Sequence, residues 1–121
     1  TLYAGGIIRL NRDGQLAPAA RSGWLAGMFT KGNRNPQGMA IHPQTGAIWV
    51  HEHGPKGGDE VNILKAGANY GWPLLSYGRE YFGGSIGDGR TKAQGYTDPV
   101  WVWVPSIAPS GMAFYDKDMF S

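Results

Sequence analysis

The chain has 121 residues, with eleven basic against nine acidic side chains, a formal net charge of +2 and no cysteine. That length suits one small domain with a modest core. The scattered basic residues argue against a nucleic-acid surface or an anionic-membrane patch, and the missing thiols exclude disulfides and thiolate metal sites. No apolar run reaches the roughly 18 residues of a membrane span, while twenty glycines, eight prolines and fifteen aromatic residues predict short strands and many turns.

The opening TLYAGGIIRL has neither the charged start of a signal peptide nor the polarity of a disordered tail, and reads as interior sequence. Gly6 to Leu10 predicts a short strand, closed at Asn11-Arg12-Asp13-Gly14 because Asp-Gly favours a tight turn. Residues 15–33 are rich in Ala, Gly and Ser and predict a connection with at most one helical turn. Gly38–His42 and Ala47–Glu52, flanking the turn Pro43-Gln44-Thr45-Gly46, predict a hairpin. Asp59–Lys65 predicts a third strand buried on both faces. Residues 66–98 form a long excursion, of the kind that serves function or packing between units. Val100–Val104, VWVWV, returns as an aromatic strand.

An internal echo gives these elements an architecture. PQGMAI at 36–41 and PSGMAF at 109–114 share Pro, Gly, Met and Ala in register, and Tyr115-Asp116-Lys117-Asp118 stands where the first copy has its turn. Repeats of about 40–50 residues, each a small antiparallel sheet, are the mark of β-propellers. The predicted class is therefore all-β, made of antiparallel propeller blades with long loops. We expect the end of one blade at about 1–33, a complete blade at about 34–104 and the start of the next at about 105–121.

The densest chemistry lies in HEHGPKGGDE, residues 51–60. His51 and His53 alternate on a strand and would share one side, with Glu52 on the other, but zinc normally needs a third protein ligand and neither a helical HExxH nor a cysteine set supplies one. Asp59 and Glu60 would point to opposite faces, which argues against a carboxylate dyad, and Asp59 suits a turn acid that caps loop amides. Nucleophile-elbow, Walker and dinucleotide glycine signatures are absent.

Four motifs in order, RNPQG at 34–38, EHGPKGGDE at 52–60, NYGWP at 69–73 and SIAPSG at 106–111, resemble the soluble quinoprotein aldose (glucose/sorbosone) dehydrogenases, over about Ile7 to Tyr115. The resemblance implies a six-bladed propeller that binds pyrroloquinoline quinone (PQQ) and Ca2+ and oxidises the anomeric carbon of an aldose sugar by hydride transfer to the quinone. It places Arg34 and Asn35 on the quinone's carboxylates and ortho-quinone oxygens, and His53 beside the cofactor. It places the carbonyls of Gly54 and Pro55 on the calcium ion, a hard cation suited to oxygen ligands, and Glu60 with the Tyr70 carbonyl on a second, structural calcium, for which Glu80 is a loose further ligand. Trp101 or Trp103 would line the substrate entrance.

None of His42, His51 and His53 matches the family's catalytic base, so this chain is expected to supply one wall of the site and no catalytic residue. The competing expectation is a non-catalytic propeller module for binding or assembly. The family implies a periplasmic or secreted location. Open blade edges imply association either with the rest of a longer polypeptide or with further copies, three two-blade units completing a six-blade ring.

Overall fold

The computed structural model describes residues 2–80, 84–87 and 89–118; the remainder of the glycine-rich stretch at 81–89 and the last three residues of the third predicted unit lie outside them. Six strands are formed: β1 (Gly6–Ile8), β2 (Met28–Lys31), β3 (Pro36–Ile41), β4 (Ile48–Glu52), β5 (Asp59–Leu64) and β6 (Trp101–Trp103). They make an antiparallel pair, β1-β2, and a four-stranded antiparallel sheet in the order β3-β4-β5-β6. The chain is all-β, with no helix among the described residues, and the larger sheet has the up-and-down order of a single blade.

The hairpin of β3 and β4 forms where its alternation places it. Gly46 takes the left-handed φ of 70° that closes the turn, and the His42 and Ala47 backbones meet through a 2.8 Å hydrogen bond. His42 also caps this turn, its Nδ1 accepting the amides of Gln44 and Thr45 at 3.3 and 3.2 Å.

Two elements differ from the sequence-based expectation. Residues 15–33 contain strand β2 as well as a bridge from Leu16 back to Leu10. Met28 and Thr30 of β2 are buried, an alternation only four residues long that does not stand out from its Ala/Gly-rich flanks. Conversely, PSGMAF forms no strand although its first copy does. The first copy has β4 folding back onto it, whereas among the described residues no strand returns after Tyr115. Phe114 packs edge-on against Trp49 at 5.6 Å and His42 at 4.9 Å instead.

The core lies between the two sheets. Val50, Leu64 and Tyr70 are buried there, with Ile7, Phe29 and Ile48 packed around them. Residues paired directly across a ladder share a face, so the register Val50↔Asn62 and Glu52↔Glu60 extends the Val50 face into a polar end. Met39, Ile41, Trp101 and Val104 keep more than half their surface exposed, leaving apolar area along both edges of the larger sheet. Met28, only 1 % exposed, lies on the face of β2 opposite Phe29, with its sulfur over Gly6 of β1. Met28→Ala should therefore destabilise the protein by about 2–5 kcal/mol through lost burial and a residual cavity, read as a lower urea midpoint with an unchanged slope.

Candidate functional site

The site sits at the polar end of β4 and β5, where the loop between them, residues 53–58, meets three other segments. Glycine shapes the loop. A Cβ on Gly54 would lie 2.0 Å from the Gly57 carbonyl oxygen, and one on Gly58, at φ 74°, would lie 2.4 Å from the Gly78 nitrogen, so neither position admits a side chain.

Asp59 fastens this loop. It is fully buried; its Oδ1 accepts the Gly54 amide at 3.0 Å, and its Oδ2 accepts the Ser106 hydroxyl at 2.5 Å and the amides of Ile107 and Ala108 at 3.0 and 2.9 Å. Burial by itself would raise the Asp59 pKa, but Ser106 and the three amides outweigh it and hold the carboxyl below its ordinary value. The SIAPSG motif is thereby pinned beside the glycine loop, with Ala108 at a left-handed φ of 48°. A second tie joins His53 Nε2 to the Pro109 carbonyl at 2.7 Å.

The NYGWP motif docks from another direction. Asn69 Oδ1 accepts the Gly71 amide at 3.0 Å, while the amides of Tyr70 and Trp72 donate to the carbonyls of Lys31 and Gly32 at 2.9 and 3.0 Å. The Tyr70 hydroxyl donates to the Ile63 carbonyl at 2.5 Å and accepts the Lys65 amide at 3.0 Å. This motif carries Trp72 to Arg34, whose guanidinium carbon lies 5.2 Å from the indole centroid.

Arg34, His53, Gly54, Pro55, Glu60 and Tyr70 line one cleft of about 10 Å3, on the scale of a single water. Within it Arg34 Nη1 donates to the carbonyls of His53 and Gly54 at 3.1 and 3.2 Å. Asn35 does not reach the cleft lining: it is exposed, with its carbonyl accepting the His53 amide at 3.0 Å and its side chain accepting from Gln37 at 2.8 Å. Glu80, Trp101 and Trp103 do not line it either; Glu80 and Trp101 are exposed and Trp103 is half-buried.

One residue of the cleft escaped the sequence reading. Glu52 is 4 % exposed, lies directly across the ladder from Glu60 and lines the same cleft. Desolvation, and then the neighbouring Glu60 charge, push its pKa up to about 8 against the opposing effect of Arg34. Desolvation raises Glu60 to about 7, opposed by hydrogen bonds with Asn62 and Glu52. Glu52 Oε2 and, on the same face, Asn62 Oδ1 are buried without a hydrogen-bond partner. Among the described residues no cluster of three or more His, Cys, Asp or Glu side chains forms a metal centre, so any cation here would rely on main-chain and amide oxygens as well. His51 lies apart from the cleft lining, buried against Gly38 with both ring nitrogens unpartnered.

The family model for glucose/sorbosone dehydrogenase matches residues 1–121. The chain belongs to the glucose/sorbosone dehydrogenase family. It is 44 % identical over 121 residues to the aldose sugar dehydrogenase YliI of Escherichia coli, covering 96 % of this chain and 33 % of that protein. It is 42 % identical over 76 residues to quinoprotein glucose dehydrogenase B of Acinetobacter calcoaceticus, covering 61 % of this chain and 16 % of that protein.

The apo form of the soluble E. coli aldose sugar dehydrogenase superposes with a TM-score of 0.86 at 43 % identity, over 96 % of this chain and 35 % of that one. The PQQ-bound aldose sugar dehydrogenase of Streptomyces coelicolor superposes with a TM-score of 0.69 at 33 % identity, over 91 % of this chain and 29 % of that one. The chain thus spans about a third or less of the length of these relatives. Within this family segment RNPQG, EHGPKGGDE and NYGWP each contribute residues to the one cleft, and SIAPSG is pinned beside its glycine loop through Asp59.

Two measurements check this geometry. Asp59→Asn cannot accept from both loops at once and should cost about 1–3 kcal/mol of stability, accompanied by faster proteolysis at 105–110. The Glu pair sets a pH trend with the opposite sign to ordinary carboxylates: the native state holds protons that the unfolded state has released above pH 4.5. In metal-free protein this contribution is full below that pH and is lost as pH rises through about 7 to 8, at up to about 1.4 kcal/mol per pH unit per proton. Glu52→Gln should flatten that slope in urea titrations run across the range.

Proposed function

We propose that this chain forms one wall of the cofactor site in a PQQ- and calcium-dependent aldose sugar dehydrogenase. The observation that carries the reading is the convergence of Arg34, the His53–Pro55 turn, Glu60 and Tyr70 on one cleft. The donors fit the groups proposed for them. A guanidinium matches the carboxylates of a tricarboxylate cofactor, and buried carbonyl and carboxylate oxygens match a hard divalent cation. When bound, PQQ would supply a hydride acceptor for the sugar's anomeric carbon and calcium would supply a Lewis acid beside it.

In this reading Arg34 holds a cofactor carboxylate, Asn35 reaches the quinone oxygens from the rim, and His53, oriented by Pro109, contacts the ring. Gly54 and Pro55 give their carbonyls to the calcium beside the cofactor. Glu60 and the Tyr70 carbonyl hold the second calcium, and the unpartnered Glu52 Oε2 adds a carboxylate that the sequence reading lacked. The catalytic base comes from outside this chain: His42 is committed to its turn, His51 is sealed under Gly38 and His53 is tied to Pro109.

The exposed apolar edges at Met39, Ile41, Trp101 and Val104 would pack against further blades of a six-bladed ring. The length of the relatives favours blades from the same polypeptide over a trimer of copies. A periplasmic or secreted location goes with the same family reading.

The test uses the whole protein, supplied with PQQ and Ca2+, and follows aldose-dependent reduction of an artificial dye. Activity should require both additions and disappear with chelator. Arg34→Ala should weaken PQQ binding by about 10- to 100-fold, the worth of a charge-assisted hydrogen bond. PQQ retention without sugar oxidation would support a non-catalytic binding module, and absence of PQQ binding would sink the cofactor reading.

A further inference from the structure

The Arg34 guanidinium occupies the oxygens that a cation at the glycine loop would need. Its Nη1 lies 3.1 Å from the His53 carbonyl and 3.2 Å from the Gly54 carbonyl, and the Trp72 ring lies 5.2 Å from its Cζ. The His53 carbonyl is held in direction because Asp59 accepts the Gly54 N–H of the same peptide unit, and the backbone packs so closely there that a Cβ on Gly54 would lie 2.0 Å from the Gly57 carbonyl oxygen. We propose that Arg34 is a built-in place-holder for the cation, so that calcium and the anionic cofactor load cooperatively.

The physical argument rests on the preceding reading of the site. Two cationic centres that share the Gly54 oxygen repel each other in a half-buried cleft, where screening by water is weak. Calcium entering alone must displace the guanidinium from the Gly54 oxygen it occupies. Arg34 leaving alone abandons two carbonyls to poor solvation. A polycarboxylate resolves both costs at once, since its carboxylates receive the guanidinium while the carbonyls receive the metal. Coupling of this kind is reciprocal: the anion tightens calcium by the same factor by which calcium tightens the anion. Arg34 is then a cofactor ligand and also the residue that keeps the metal site weak until the cofactor arrives.

Calorimetric titration of the quinone-free whole protein with Ca2+ tests the idea. Arg34→Gln removes the charge and should bind calcium at least about tenfold more tightly than the parent, whereas Arg34→Lys, which keeps the charge, should stay close to it. Adding PQQ should tighten calcium at least about tenfold in the parent and much less in Arg34→Gln, within the usual range of coupling between sites. Calcium alone should also change Trp72 fluorescence as the guanidinium leaves its ring, a change absent from Trp72→Phe; this readout needs no Arg34 variant.

Unchanged or weaker calcium binding by a folded Arg34→Gln protein overturns the place-holder role. So does a calcium titration that leaves Trp72 fluorescence unaltered. A parent protein that binds both ligands independently defeats this inference alone, while one that binds neither defeats the cofactor reading beneath it.

Discussion

The site depends on one buried carboxylate. Asp59 accepts four donors from two segments that are far apart in sequence, Gly54 on one side and Ser106 to Ala108 on the other. Charge-assisted hydrogen bonds are roughly twice as strong as neutral ones, and four of them hold the carboxyl ionised despite its burial. With Asp59 fixed, the direction of the His53–Gly54 peptide is fixed, and Ala108 is kept at a φ that a residue with a Cβ seldom adopts. Two irregular loops thereby acquire the definition of the strands that flank them.

Asp59 and Glu60 are neighbours with opposite fates. Adjacent strand positions face opposite sides of the sheet, so Asp59 meets the amides of the loop after β6 while Glu60 turns toward Glu52 and the inter-sheet space. The first carboxyl is fully satisfied and its pKa falls; Glu52 retains an oxygen without a partner, and the pKa of both glutamates rises. Unpartnered buried oxygens beside a binding cleft are the kind of local inconsistency that a functional requirement leaves. The Asn62 Oδ1, buried and unpartnered beside Glu60, belongs to the same trace.

The parts of the fold that were legible in the sequence are those carried by strong local signals. The alternation of GMAIH and AIWVHE around Pro-Gln-Thr-Gly, and of DEVNIL after the glycine loop, places β3, β4 and β5 within two residues of their observed ends. β2 was not legible because four residues cannot display a period, and its pairing with β1 spans an irregular connection. At the site, residue identity was visible where a motif named it, but the sequence could not show that Asn35 stays on the rim while Arg34 turns inward. Glu52 was missed for a different reason. Alternation correctly separates it from the histidines, but its meeting with Glu60 depends on the register of β4 against β5, and a shift of one residue across a loop of uncertain length would have paired it with Asp59 instead.

The position of the cleft explains why the loops can be so irregular while their geometry remains defined. Val50 and Leu64 pack in the middle of the ladder, so the ends of β4 and β5 emerge from a rigid base, and the loop between them begins one residue after Glu52 and ends at Asp59. Arg34 enters from the segment that leads into β3, and Tyr70 is tied to the end of β5 through its hydroxyl. Each group in the cleft is therefore within a few residues of a ladder position or held by a hydrogen bond to one. That is the arrangement a binding site needs if its donors are to stay aimed without a ligand to hold them, and it places the Arg34 guanidinium on its two carbonyls as a consequence of the sheet's register.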